Sequence, residues 1–154
     1  GTATVKVYGN IMSLLDEENF ATKTDLPNSD YVFYGLFYGN GKLTDASGLL
    51  LPATTLAKGC YQSMFSGCTA LTAAPALPAT TLAEGCYYNM FYGCTKLASV
   101  TCKATDISAT YCLYNWLNGA GTDATSPTLY VEPTMTENMG WNNANFTVTA
   151  IPGN

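Results

Sequence analysis

Histidine and arginine are absent from these 154 residues, and charge of either sign is scarce. Six lysines stand against eleven acids, giving a formal net charge of −5 and a charged share of 11%. The first absence removes Ser–His and Cys–His nucleophile pairs and most metal-assisted hydrolysis, which rely on an imidazole as base or ligand. The missing arginine and the acid excess set the chain against phosphate backbones and anionic lipid, so nucleic acid is not an expected partner. No apolar run reaches the roughly 18 residues of a membrane span, and the opening GTATVKVYGN lacks the charged start and apolar centre of an export signal, so no membrane insertion is expected. Low charge does not mean disorder here. Hydrophobic residues make up 47% of the chain, enough to bury one core, and the length suits a single domain over residues 1–154.

The chain writes one line twice. LPATTLAKGCYQSMFSGCTAL at 51–71 returns as LPATTLAEGCYYNMFYGCTKL at 77–97, twenty-six residues on, and the copies differ only at 58, 62, 63, 66 and 70. A further step of twenty-six sets Cys86 on Cys112, Asn89 on Asn115, Met90 on Trp116, Phe91 on Leu117 and Gly93 on Gly119, a worn third copy. Going backward, VFYGLFYGNGKL at 32–43 matches CYYNMFYGCTKL at 86–97, which makes four units. A unit this short cannot bury its own apolar face, so a fixed period implies stacking into one continuous core with atypical ends. Residues 1–31 read as an N-terminal cap, 32–120 as the repeat units and 121–154 as a C-terminal cap.

Within a unit, Cys60, Met64 and Cys68, or Cys86, Met90 and Cys94, recur at i, i+4 and i+8, which predicts one buried face of a short helix. Gly39, Gly67, Gly93 and Gly119 stand where a left-handed residue ends such a helix. The segments after them read as short strands closed by Pro52 and Pro78, since proline offers no amide to a ladder. The expected fold is therefore α/β: a short solenoid with one parallel strand and one short helix per 26-residue unit and a cap at each end. Positions 58, 62 and 66, where the copies diverge, are expected to face water.

The pattern Leu51, Pro52, Leu56, Gly59, Phe65, Cys68, Leu71, repeated as Leu77, Pro78, Leu82, Gly85, Phe91, Cys94, Leu97, resembles the leucine-rich repeats of BspA-like bacterial surface proteins, the Treponema pallidum type. The likeness covers about residues 32–120. It departs in its longer period, in its few units, and in Met64 and Met90 where a small residue is typical. The resemblance implies a right-handed leucine-rich-repeat solenoid at the cell surface of, or secreted by, a bacterium of the Bacteroidetes, where members act in adhesion or are uncharacterised.

Six cysteines form two ladders, Cys60/Cys86/Cys112 and Cys68/Cys94, with Cys102 apart. No C-x-x-C spacing accompanies them and no histidine exists, which argues against zinc. A bridge inside one helix is excluded, because eight residues of helix span about 12 Å. Bridges between stacked units and a column of buried thiols both stay open, the latter favoured because a thiol packs as a small apolar filler. Asp16, Glu17, Glu18, Glu84, Asp106, Asp123, Glu132 and Glu137 sit in no recognisable carboxylate-pair frame. GNGK at 39–42 reads as a helix stop and turn rather than a phosphate loop. No cofactor or metal is expected, and no catalysis.

Tyrosine is the most suggestive presence. Projected onto the outward positions of the repeat, Tyr34, Tyr38, Tyr88, Tyr92 and Tyr114 form an expected ligand-binding row of phenols, a type of surface over-represented at interfaces. The competing expectation is that each ring packs over its neighbouring unit. The function these residues point to is a non-catalytic adhesion or protein-interaction module, with a glycan-binding module or a structural spacer as alternatives. The expected partner is an extracellular protein or glycan.

Overall fold

A computed structural model of the protein describes residues 2–26 and 29–153. It holds five strands: β1 (Val5–Asn10), β2 (Leu43–Leu50), β3 (Ser99–Cys102), β4 (Thr128–Val131) and β5 (Thr147–Ala150). All pair in parallel, β1 with β2 in one sheet and β3, β4 and β5 in order in a second. Short 3-10 turns lie at Ile11–Leu14, Phe20–Thr22, Pro133–Met135 and Met139–Trp141, and no α-helix occurs among the described residues. The expected right-handed α/β leucine-rich-repeat solenoid, with a strand and a helix in each unit, is therefore corrected: the chain forms two small parallel sheets and extended turn segments in place of helices.

The strand expectation fails where the sequence supplies a proline. In the strand segment of the second unit the pairing shrinks to single bridges, Ala73 to Asp45 and to Ser99, and Leu77 to Cys102. Pro75 follows Ala73 by two residues and has no amide to extend that ladder. One repeat on, Thr101 takes the equivalent place and the segment Ser99–Cys102 forms β3, in register with Thr128–Val131.

The helix expectation fails for a different reason. Every fourth residue of the segments at 31–39, 59–67, 85–93 and 111–119 has a positive φ: Tyr31, Gly35 and Gly39, then Gly59, Ser63 and Gly67, then Gly85, Asn89 and Gly93, then Tyr111, Asn115 and Gly119. An α-helix holds all residues at negative φ and points every amide along its axis to the carbonyl four back. Here the amides take turns. Those of Cys60, Gln62, Met64, Ser66 and Cys68 bond to carbonyls three residues back in their own unit. Those of Gly59, Tyr61, Ser63, Phe65 and Gly67 leave the unit and reach the carbonyls of Glu84, Cys86, Tyr88, Met90 and Tyr92 at 2.7–3.0 Å. The same alternation joins the first unit to the second, from Tyr31 to Lys58 through Gly39 to Ser66, and the third to the fourth, from Gly85 to Thr110 through Gly93 to Asn118. Each segment is thus a ribbon of turns, hydrogen-bonded edge to edge with the next.

Stacked ribbons place like residues over like through the first three units, and in the fourth Trp116, the counterpart of Met90, continues the column from Tyr87. One aromatic column runs Phe33, Tyr61, Tyr87, Trp116, Trp141, with successive ring centroids 5.9, 6.1, 6.1 and 6.4 Å apart. A second runs Phe37, Phe65, Phe91 at 5.4 and 5.6 Å. Cys60, Met64 and Cys68 and their equivalents Cys86, Met90 and Cys94 are wholly buried beside these columns. The far end is closed by Trp141, whose backbone carbonyl accepts from Trp116 Nε1 at 2.7 Å and whose own Nε1 donates to the Met135 carbonyl at 2.9 Å. Asn145 Nδ2 donates to the Ala120 carbonyl at 2.7 Å.

Met90 has no exposed surface, so truncation leaves a cavity between ribbons that hydrogen bonds hold at fixed spacing. Met90→Ala is expected to lower the unfolding free energy by about 2–5 kcal/mol in denaturant titration. A loss well under 1 kcal/mol would show that the ribbons close up and that the core is not rigid.

Candidate functional site

The side chains that leave the core do so in columns set by the ribbon geometry. Of the positions expected to face water, Lys58 and Glu84 are exposed and Gln62 and Tyr88 half-buried, but Ser66 is buried. It sits in the column between Tyr38 and Tyr92. Among the tyrosines expected to bind, Tyr38 is 68% exposed, Tyr34 56%, Tyr92 44% and Tyr114 43%.

These rings do not form one continuous row. The Tyr34/Gln62/Tyr88/Tyr114 column is broken by Gln62, and the Tyr38/Ser66/Tyr92/Asn118 column by Ser66. Tyr88 and Tyr114 do come together, stacked at 4.9 Å and 29°. Tyr34 instead meets Tyr31 edge to face at 6.3 Å.

Tyr31 and Tyr111 join the face although neither was among the expected binding residues. Both are exposed, at 44% and 61%, and both hold the left-handed conformation, with φ of 57° and 55°. A bulky side chain there costs on the order of 1 kcal/mol. The two inner ribbons carry Gly59 and Gly85 in this slot. Tyr111 packs edge-on against Tyr114 at 5.6 Å and Tyr88 at 6.3 Å, so three rings make one compact wall. Between that wall and Tyr31 lies a groove of ≈ 290 Å³, floored by Gly85 and Gln62 and edged by Lys58 and Glu84. Lys58 Nζ stands 3.5 Å from Glu84 Oε1, and both side chains remain about half exposed, at 45% and 51%. Such a pair contributes little to stability. The signal for this slot was in the repeat itself, one residue before the matched segment at Val32, where the alternation Tyr, Gly, Gly, Tyr begins.

Neither a protein-family model, nor a curated protein, nor a solved structure matches the chain significantly. The face must be read on its own chemistry.

The thiols lie away from that face. All six cysteines are free and buried. Burial pushes the Cys60 and Cys102 thiols up from 9.0 to about 12, and raises Cys68, Cys86, Cys94 and Cys112 as well. Cys68 Sγ donates to the Phe37 carbonyl and Cys94 Sγ to the Phe65 carbonyl, each at 3.0 Å, bonds that a thiolate cannot donate. Turn hydrogen bonds hold carboxylates below their usual range: the Ser47 hydroxyl and amide donate to half-buried Asp45, those of Ser108 to exposed Asp106, and the Asn19 amide to Asp16. Among the described residues no cluster of three metal-ligating side chains occurs.

Native protein at pH 8 is expected to resist iodoacetamide, while guanidinium-unfolded protein takes up six labels; labelling in the native state would place a thiol outside the core. Because the folded thiols titrate above the unfolded ones, the unfolded chain releases its protons first as pH rises. Stability is therefore fully present below about pH 9 and is expected to fall steadily toward about pH 12.

Proposed function

We propose that the chain is a non-catalytic adhesion or interaction module that recognises an extracellular protein or glycan through the tyrosine-bearing face of its turn ribbons. The observation that carries this reading is the gathering of Tyr31, Tyr34, Tyr38, Tyr88, Tyr92, Tyr111 and Tyr114 on one hydrogen-bonded scaffold, six of them exposed. Rigid, amphipathic rings give large contact area at low entropic cost, which is why tyrosine is enriched where proteins meet partners. A chain without histidine, with its thiols neutral and buried, has little with which to run acid–base or nucleophilic chemistry. Placement at the surface of a bacterium of the Bacteroidetes, or secretion from it, rests on the likeness of the repeat residues to BspA-like proteins. Among the described residues no helix is long and apolar enough to cross a membrane.

The Tyr88→Ala, Tyr92→Ala double variant should lose binding in a screen against extracellular proteins and glycans while its melting temperature stays within a few degrees of the parent. A large fall in melting temperature would assign the rings to packing. Binding by neither the parent nor the variant would favour a structural spacer.

A further inference from the structure

The groove over Gly85 is a gap in the protein's own aromatic surface. Tyr31 and Tyr111 occupy one slot in the first and fourth ribbons, and the two glycines between them leave it without side chains. The gap is not filled evenly. A Cβ added to Gly59 would run into the Tyr31 ring, whereas the nearest heavy atom to a Cβ on Gly85 is Gln62 Oε1 at 3.9 Å. The Tyr31 ring thus covers Gly59, and the open space lies over Gly85, against Tyr88 and Tyr111. Ribbons joined by backbone hydrogen bonds stand about 4.8 Å apart, so three steps from Tyr31 to Tyr111 give about 14 Å, of which the Tyr31 ring takes one step. About 10 Å remain, enough to admit a six-membered sugar ring with its hydroxyls.

The lining matches a sugar better than a peptide side chain. Tyr88 and Tyr111 both line the groove and meet at 78°, so aromatic surface in two orientations bounds it, which suits the flat C–H face of a pyranose. The floor and rim are polar. The Gln62 amide both donates and accepts, Lys58 donates and Glu84 accepts, a complement to hydroxyls that do both. An apolar side chain in the same place would strip water from these three groups and return no hydrogen bond. Lys58 and Glu84 offset one another's charge at 3.5 Å, and the whole chain carries −5, so a carboxylated or sulfated sugar meets net repulsion. We infer that the groove bounded by Tyr31, Gln62, Gly85, Tyr88 and Tyr111 is a binding subsite for a neutral pyranose ring of a glycan, an assignment that rests on the binding-module reading above.

The full chain is titrated by calorimetry and saturation-transfer NMR with neutral hexasaccharides of glucose, mannose and galactose, and with a heparin hexasaccharide as the charged comparison. At least one neutral hexasaccharide should bind, with saturation transferred from tyrosine protons, and heparin should not. Gly85→Asn, a residue that tolerates the left-handed backbone and projects into the gap, and Gln62→Ala should each weaken binding at least tenfold. Tyr8→Ala, exposed on β1 and not lining the groove, should leave it unchanged. If Gly85→Asn fails to fold, Gln62→Ala decides. No binding of any neutral hexasaccharide at millimolar concentration, or full binding by a folded Gln62→Ala protein, overturns the assignment. Should a protein partner then be found that needs Tyr88 and Tyr92, the module reading stands and only the sugar assignment falls; if nothing binds the parent, both fall.

Discussion

The structure depends on how the turn ribbons divide their backbone amides. Half of them close turns within a unit and half cross to the next, so each ribbon is both a series of local turns and one rung of a ladder. That division requires the chain to reverse its local hand every fourth residue, and the residues there are mostly those that tolerate a left-handed conformation: Gly59, Ser63 and Gly67, then Gly85, Asn89 and Gly93. The constraint is strict at Gly59, where the Tyr31 ring leaves no room for a Cβ. It is met at a cost at Tyr31 and Tyr111, which accept the same backbone with a full aromatic side chain.

Once the ladder fixes the spacing between ribbons, the rest follows. Rings stacked at 5.4–6.1 Å fill the interior in columns, and the thiols occupy the small gaps beside them. Side chains that do not point inward are carried outward in columns of their own. The tyrosine face is therefore a by-product of the same register that builds the core, and it is interrupted at Gln62, Ser66, Gly59 and Gly85.

Much of this was legible before any coordinates. The 26-residue period, the inward set of Cys60, Met64 and Cys68, and the outward placement of Lys58 and Glu84 were read directly from the two matching lines. The helix was not there to be found, and the reason is instructive: turns closing every four residues put i, i+4 and i+8 on one face just as a helix nearly does, so the spacing of apolar residues does not separate the two. The glycine at the start of the segment, Gly59 or Gly85, was the distinguishing sign, because a helix stop explains Gly67 and Gly93 but gives no reason for a second glycine eight residues earlier. Pro75 likewise announced the break between the sheets. Tyr31 and Tyr111 escaped notice because their pairing with two glycines shows only when four divergent units are aligned to their first residue. The burial of Ser66 was hidden because its neighbours in the column, Tyr38 and Tyr92, come from the adjoining units and not from its own.

Scalar couplings across hydrogen bonds, measured by long-range HNCO spectroscopy on labelled protein, bear most directly on the division of amides. The account predicts a correlation from the Tyr61 amide nitrogen to the Cys86 carbonyl carbon, and likewise from Phe65 to Met90. A correlation from Tyr61 to the carbonyl of Ala57, four residues back, would restore a helix to each unit and contradict the ribbon ladder on which the core, the tyrosine face and the groove all stand.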